Sequence, residues 1–171
     1  MKRKYNFKLG DSVFYPSAGV GTIEAIEDVF MGGRCDACYV IRIHENQITV
    51  KVPVNNMTNT GIRPLVDRKQ VKELDKILGG KSARRVTGGN WTERCKDLER
   101  RINHGGCLEL GCVVRDLLRW KDTSGLSFEE AMLLETACNY LASELAAVKG
   151  ISSEAANHYI RDHVGVSVAA A

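Results

Sequence analysis

The chain predicts an α+β fold in which a small, strongly bent β-barrel precedes a compact all-α helical bundle. Three observations predict it. The apolar period changes from two to near 3.6 around residue 67; the first segment is rich in β-branched residues and turn formers; glycine pairs cut the second into short helical stretches. A chain of 171 residues holds one ordinary domain or two small ones. The change of period divides it into residues 1–66 and 67–171, with a polar connector near 79–90.

Taken in order, Asp11-Ser12-Val13-Phe14-Tyr15 and Gly21-Thr22-Ile23-Glu24-Ala25-Ile26-Glu27 read as strands around Pro16-Ser17-Ala18-Gly19-Val20. Tyr39-Val40-Ile41-Arg42-Ile43 and Ile48-Thr49-Val50-Lys51-Val52 alternate on either side of the turn-prone Glu45-Asn46-Gln47, which is a hairpin pattern. Four or five short strands within about 55 residues fit a small barrel.

Beyond it, Val71, Leu74, Ile77 and Leu78 form one helical stripe that ends at Gly79-Gly80. A second helix starts near Asn90, with Asn90 and Glu93 as N-cap and return partner, and stops at Gly105-Gly106. A third spans about 107–121. Ser127-Phe128-Glu129-Glu130 is a capping box that opens a long helix to about Lys149, and a last helix begins at Ser152 or Ser153. Isolated helices of this length are unstable in water, so they must pack together.

The charge balance, 24 basic against 21 acidic residues, implies no polyanion partner by itself. Its distribution says more. Residues 1–70 carry 10 basic and 7 acidic side chains, a net of +3; residues 72–121 carry 12 and 7, a net of +5; residues 122–171 carry 2 and 7, a net of −5. A basic middle beside an acidic end can orient a protein on a charged surface. No signal-like opening and no apolar run near a membrane span is present, so the chain reads as soluble and cytoplasmic, and its six cysteines as thiols.

Catalysis finds no support. No phosphate-binding glycine loop, Gly-x-Ser-x-Gly or His-Glu-x-x-His occurs, and His44, His104, His158 and His163 are scattered. Cys35-Asp36-Ala37-Cys38 is the single metal-like or redox-like spacing. Zinc there needs two further ligands, and Cys107 and Cys112 match poorly, so the reading is a thiol pair at a loop tip before a strand from Tyr39. No metal and no cofactor is expected.

The two tryptophans differ. Trp120 lies at i+3 from Leu117 and i+7 from Val113, which predicts core. Trp91 begins its helix just after Gly88-Gly89, and two readings stay open: packing under the connector, or exposure. An exposed indole among Arg84, Arg85, Arg94, Lys96, Arg100 and Arg101 suits stacking on or wedging between bases, with the cations on phosphates. The bland alternative is a solvated mixed-charge face, and Glu93, Asp97 and Glu99 favour it.

Phe7-Lys8-Leu9-Gly10-Asp11-Ser12-Val13-Phe14-Tyr15-Pro16, Gly19-Val20-Gly21, Ile26-Glu27, Val50-Lys51-Val52-Pro53-Val54 and Gly61-Ile62-Arg63-Pro64-Leu65 form an ordered set. It continues through Asn90-Trp91 with Arg94 and Lys96, Val113-Val114-Arg115-Asp116-Leu117, Gly125-Leu126-Ser127 and Glu144-Leu145-Ala146. Over residues 7–150 this set resembles the CarD/CdnL family of bacterial RNA-polymerase-binding regulators.

The resemblance implies a Tudor-like (SH3-like) barrel, similar to the polymerase-interaction module of transcription-repair coupling factor, that docks on the polymerase β subunit. It implies a helical domain lying over promoter DNA at the upstream edge of the bubble, in a monomer located with polymerase at the nucleoid. The wedge tryptophan then falls on Trp91, with Asn90, Thr92, Arg94, Lys96, Arg84 and Arg85 on DNA. The polymerase contacts fall on Val29-Phe30-Met31 and on Val50, Lys51 and Val52. Val29 and Glu93 stand where some relatives carry basic residues, and the cysteine pair lies outside the pattern. The alternative reading is a protein adaptor or thiol/zinc module built on Cys35 and Cys38, without DNA contact.

Overall fold

A computed structural model describes residues 7–82 and 90–166, leaving aside the side chain of Met31. The chain divides into two compact units, Met1–Leu65 and Val66–Ala171.

The first unit contains β1 (Ser12–Tyr15), β2 (Gly19–Met31), β3 (Arg34–Ile43), β4 (Thr49–Pro53) and β5 (Arg63–Pro64), with a one-turn helix α1 (Met57–Thr60) before β5. The strands pair antiparallel in the order β4-β3-β2-β1-β5. An irregularity in register between Ile23 and Ala25 lets the long β2 bend, as a bulge does. Phe7, Val13, Ile23, Tyr39, Ile41, Ile43 and Val52 fill the core. Gly21 is required where β2 crosses β3: a Cβ there would stand 2.8 Å from Arg42 O.

Two expectations are corrected here. β2 does not end at Glu27 but runs on to Met31, and β3 begins at Arg34, so Cys35 and Cys38 lie inside a strand and not at a loop tip. The cause is the Gly32-Gly33 turn. Both glycines have positive φ, 59° and 79°, which suits a two-residue hairpin whose twist matches its strands. The ribbon extends past the core, so its charged residues Asp28, Arg34 and Asp36 mask the alternation that would mark it as paired strand.

The second unit contains α2 (Arg68–Gly79), α3 (Trp91–His104), α4 (Cys107–Thr123), α5 (Phe128–Lys149) and α6 (Ser153–Val164). Leu74, Leu78, Leu110, Leu117, Leu141, Leu145 and Ile160 form its core. Capping boxes open α2 at Asp67/Gln70 and α5 at Ser127/Glu130. Asn90 caps α3 through Thr92 N at 3.0 Å, and Glu93 makes no return bond; the short amide reaches the second helical N–H instead of the third. The fully buried Glu144 accepts the Val66 amide at 3.0 Å, which ties the entry of the unit to α5. Trp120 is only partly buried, packed against the core from the last turn of α4, where its apolar stripe runs out. Among the described residues no helix is long and apolar enough to cross a membrane.

Candidate functional site

On α3 the buried residues are Leu98 and Ile102. Trp91 precedes Leu98 by two helical turns, so it lies in line with this stripe, at its open end. Trp91 is 40% exposed, and it is in neither hydrophobic core. Its Nε1 points at the Ser127 hydroxyl, with 3.5 Å between Nε1 and Oγ. The indole is thus partly exposed, with its Nε1 corner toward the start of α5; residues 83–89 of the connector lie outside the described residues.

The neighbouring side chains sort by their angle around the helix, about 100° per residue. Arg94 is about 60° from Trp91 and half-buried; Lys96 is about 140° away, exposed, and forms no ion pair among the described residues. Glu93 is about 160° away, on the opposite side of α3. The acid adjacent in sequence therefore does not face the same partner as the indole. Arg100 and Arg101 are taken up in ion pairs, with Asp97 at 2.8 Å and Glu109 at 3.1 Å. Asn90 and Thr92 are exposed beside the ring. Arg84 and Arg85 lie outside the described residues. Cys95, one turn after Trp91, has its thiol pKa raised by burial and then by Glu130 and Glu129, so the first turns of α3 and α5 are neighbours.

In the first unit, the β2–β3 ribbon carries Phe30, 76% exposed, beside the half-buried Val29, with Met31 at the turn. Lys51 pairs opposite Val40 on β3, and Val40 opposite Ala25 on β2, which puts Lys51 on the face of Glu27 and Val29. Its ammonium donates to Glu27 Oε2 at 2.7 Å, and this hydrogen bond raises the lysine pKa. Phe30 and Ile26 belong to the other face. Val50 and Val52 correct the sequence assignment: Val52 is buried in the core and Val50 packs against it. Lys51 is the outward residue between two inward ones. A partner reaches the two valines only through the main chain of β4, an edge of the sheet.

The cysteine pair is parted by the strand that contains it. Residues i and i+3 on a strand point to opposite faces and stand about 10 Å apart. Cys35 is exposed and Cys38 is buried in agreement with that. Among the described residues no three His, Cys, Asp or Glu side chains are arranged to hold a metal ion, and no cysteine is in a disulfide.

Comparison with known proteins matches both units. Residues 7–66 match the CarD-like/TRCF RID domain and residues 63–161 match the CarD C-terminal domain. A candidate transcription factor of Bacillus subtilis (strain 168), YdeB, is 35% identical over 149 residues, covering 86% of this chain and 95% of the relative. With both domain matches in order and a relative aligned over nearly its whole length, the chain belongs to the CarD/CdnL family of transcription regulators.

Proposed function

We propose that the barrel docks on the β subunit of RNA polymerase and that the helical unit stabilises the promoter open complex, with Trp91 as a minor-groove wedge at the upstream edge of the bubble. One observation carries this reading: a large indole is left partly in water at the open end of a buried stripe. Arg94 lies beside it on the helix and Lys96 further round α3, on the side of Glu93; Asn90 and Thr92 add polar contacts, and Arg84 and Arg85 are added from sequence. Phosphate contacts of this kind are sequence-independent and weaken with salt. On the barrel, Lys51 and Val29 offer one face of the sheet and Phe30 the other face of the ribbon to the polymerase, with Met31 at the turn and Val50 and Val52 contributing main chain. One copy, acting in the cytoplasm with polymerase at the nucleoid, is enough, and no enzymatic step is involved.

The physical logic is differential binding. A ligand shifts the closed and open complexes only by its preference between them. A ring that fits a distorted step finds its site only once melting has begun. If insertion contributes about 1–3 kcal/mol, the scale of base–aromatic stacking, the open state gains roughly 5- to 150-fold. Weak DNA affinity suffices, because docking on polymerase holds the duplex at high local concentration.

The test is Trp91→Ala. Polymerase binding stays intact, and open-complex lifetime on a weak promoter shortens by roughly the factor above. An unchanged lifetime with a correctly folded variant removes the wedge and leaves the adaptor reading.

A further inference from the structure

We infer that Ser127 is a positioning residue for Trp91: its hydroxyl is a fixed acceptor that sets the direction in which the indole is presented. This inference rests on the wedge reading above.

The acceptor is held by two reciprocal bonds with Glu130. Ser127 is the N-cap of α5, and its Oγ accepts from Glu130 N at 3.2 Å. Glu130, 4% exposed, returns the bond by accepting from Ser127 N at 2.9 Å. The serine therefore has its main chain and side chain both fixed by a buried carboxylate one turn away. A serine oxygen has two lone pairs, so it can accept from the Glu130 amide and the Trp91 indole together. Trp91 Nε1 lies 3.5 Å away, at the long end of hydrogen-bond range.

Among the described residues the indole N–H has no other acceptor. Trp91 sits at the first helical position of α3, before the buried stripe, where two χ angles leave the ring several directions. A wedge that must enter a groove edge-first loses efficiency when its ring samples the wrong ones. A polar tether at the Nε1 corner leaves the rest of the ring for the base step. The same capping bond that starts α5 thus orients a residue 36 positions earlier.

The chain has two tryptophans, so its labelled indole N–H spectrum has two signals, and Trp91→Ala identifies the one from Trp91. Glycine at an N-cap costs only a few tenths of a kcal/mol relative to serine, so Ser127→Gly keeps the fold while removing the acceptor. We expect the Trp91 signal to move and the open-complex lifetime to fall about two- to tenfold, the equivalent of one neutral hydrogen bond. Ser127→Thr, which keeps the hydroxyl, restores both. Ser152→Gly removes the corresponding cap of α6, whose Oγ accepts from Ala155 N and from no other described residue, and leaves both unchanged.

A Trp91 signal that does not move in Ser127→Gly overturns the inference. So does an unchanged lifetime in that variant when Trp91→Ala shortens it, or an equal change in Ser152→Gly. A lifetime that Trp91→Ala leaves unaltered sinks the wedge reading instead, and the two failures are told apart.

Discussion

Lys51 Nζ donates to Glu27 Oε2 at 2.7 Å, from β4 across the width of β3 to β2. Both side chains are about half exposed, so the pair is solvated and screened. The ammonium is offered on the same face as Val29. Lys51→Glu sets two acids side by side and reverses the charge offered to a partner. We expect it to reduce co-purification of the polymerase β subunit strongly, while Glu27→Gln leaves the melting temperature within scatter and binding largely intact. Full retention of the subunit by Lys51→Glu removes Lys51 from the interface.

Arg119 joins the ends of two helices. Its guanidinium donates to Val164 O at 3.0 Å on α6, and to Leu78 O at 3.3 Å and Gly80 O at the end of α2. It also reaches Ser82 Oγ at 3.2 Å. Carbonyls at helix C-termini lack intrahelical donors and carry partial negative charge, so a cation serves both needs. Arg119→Ala leaves several of them unpaired and should cost about 2–4 kcal/mol in urea unfolding. Lysine, with one compact head, should recover only part of that. A loss under about 0.5 kcal/mol for the alanine variant contradicts the capping role.

Alkaline pH should weaken the helical unit through two groups held neutral, the buried Cys138 and the partly buried Tyr159. Burial pushes the Cys138 thiol from its ordinary value of 9.0 up to about 11. Tyr159 is raised above the ordinary 10.0 by burial and by donating to Asp75 Oδ1 at 2.6 Å. Below pH 9 the thiol holds its proton folded and unfolded, and its contribution is complete. Between pH 9 and 11 the unfolded chain ionises first, so stability falls, by about 2–3 kcal/mol for the thiol over that window. The tyrosine adds a further fall above pH 10. Urea midpoints in reducing buffer should therefore drop from pH 9 upward, and less steeply in Cys138→Ala; parallel curves would refute the assignment to Cys138.

Much of the fold is legible because its signals are local. The hairpin from Tyr39 to Val52 follows from alternation, and the α5 start from Ser127 and Glu130, three residues apart. Glycine pairs mark the ends of α2 and α3. The ribbon from Asp28 to Asp36 was not legible, because paired strands that overhang a core need no alternating apolar residues. Val52 belongs to a segment for which the resemblance implies a polymerase contact, although period two alone turns it inward beside an outward Lys51.

The sequence by itself determined the order of elements, their caps, the two compositional halves and a tryptophan at a helix start. Periodicity and capping depend on neighbours within about four residues, so they can be read without a partner element. Only the tertiary structure decided what those residues meet. It brought Ser127 to Trp91 over 36 residues of chain and buried the Glu144 carboxylate against the Val66 amide. Such contacts are products of how helices and strands pack, and no local pattern contains them.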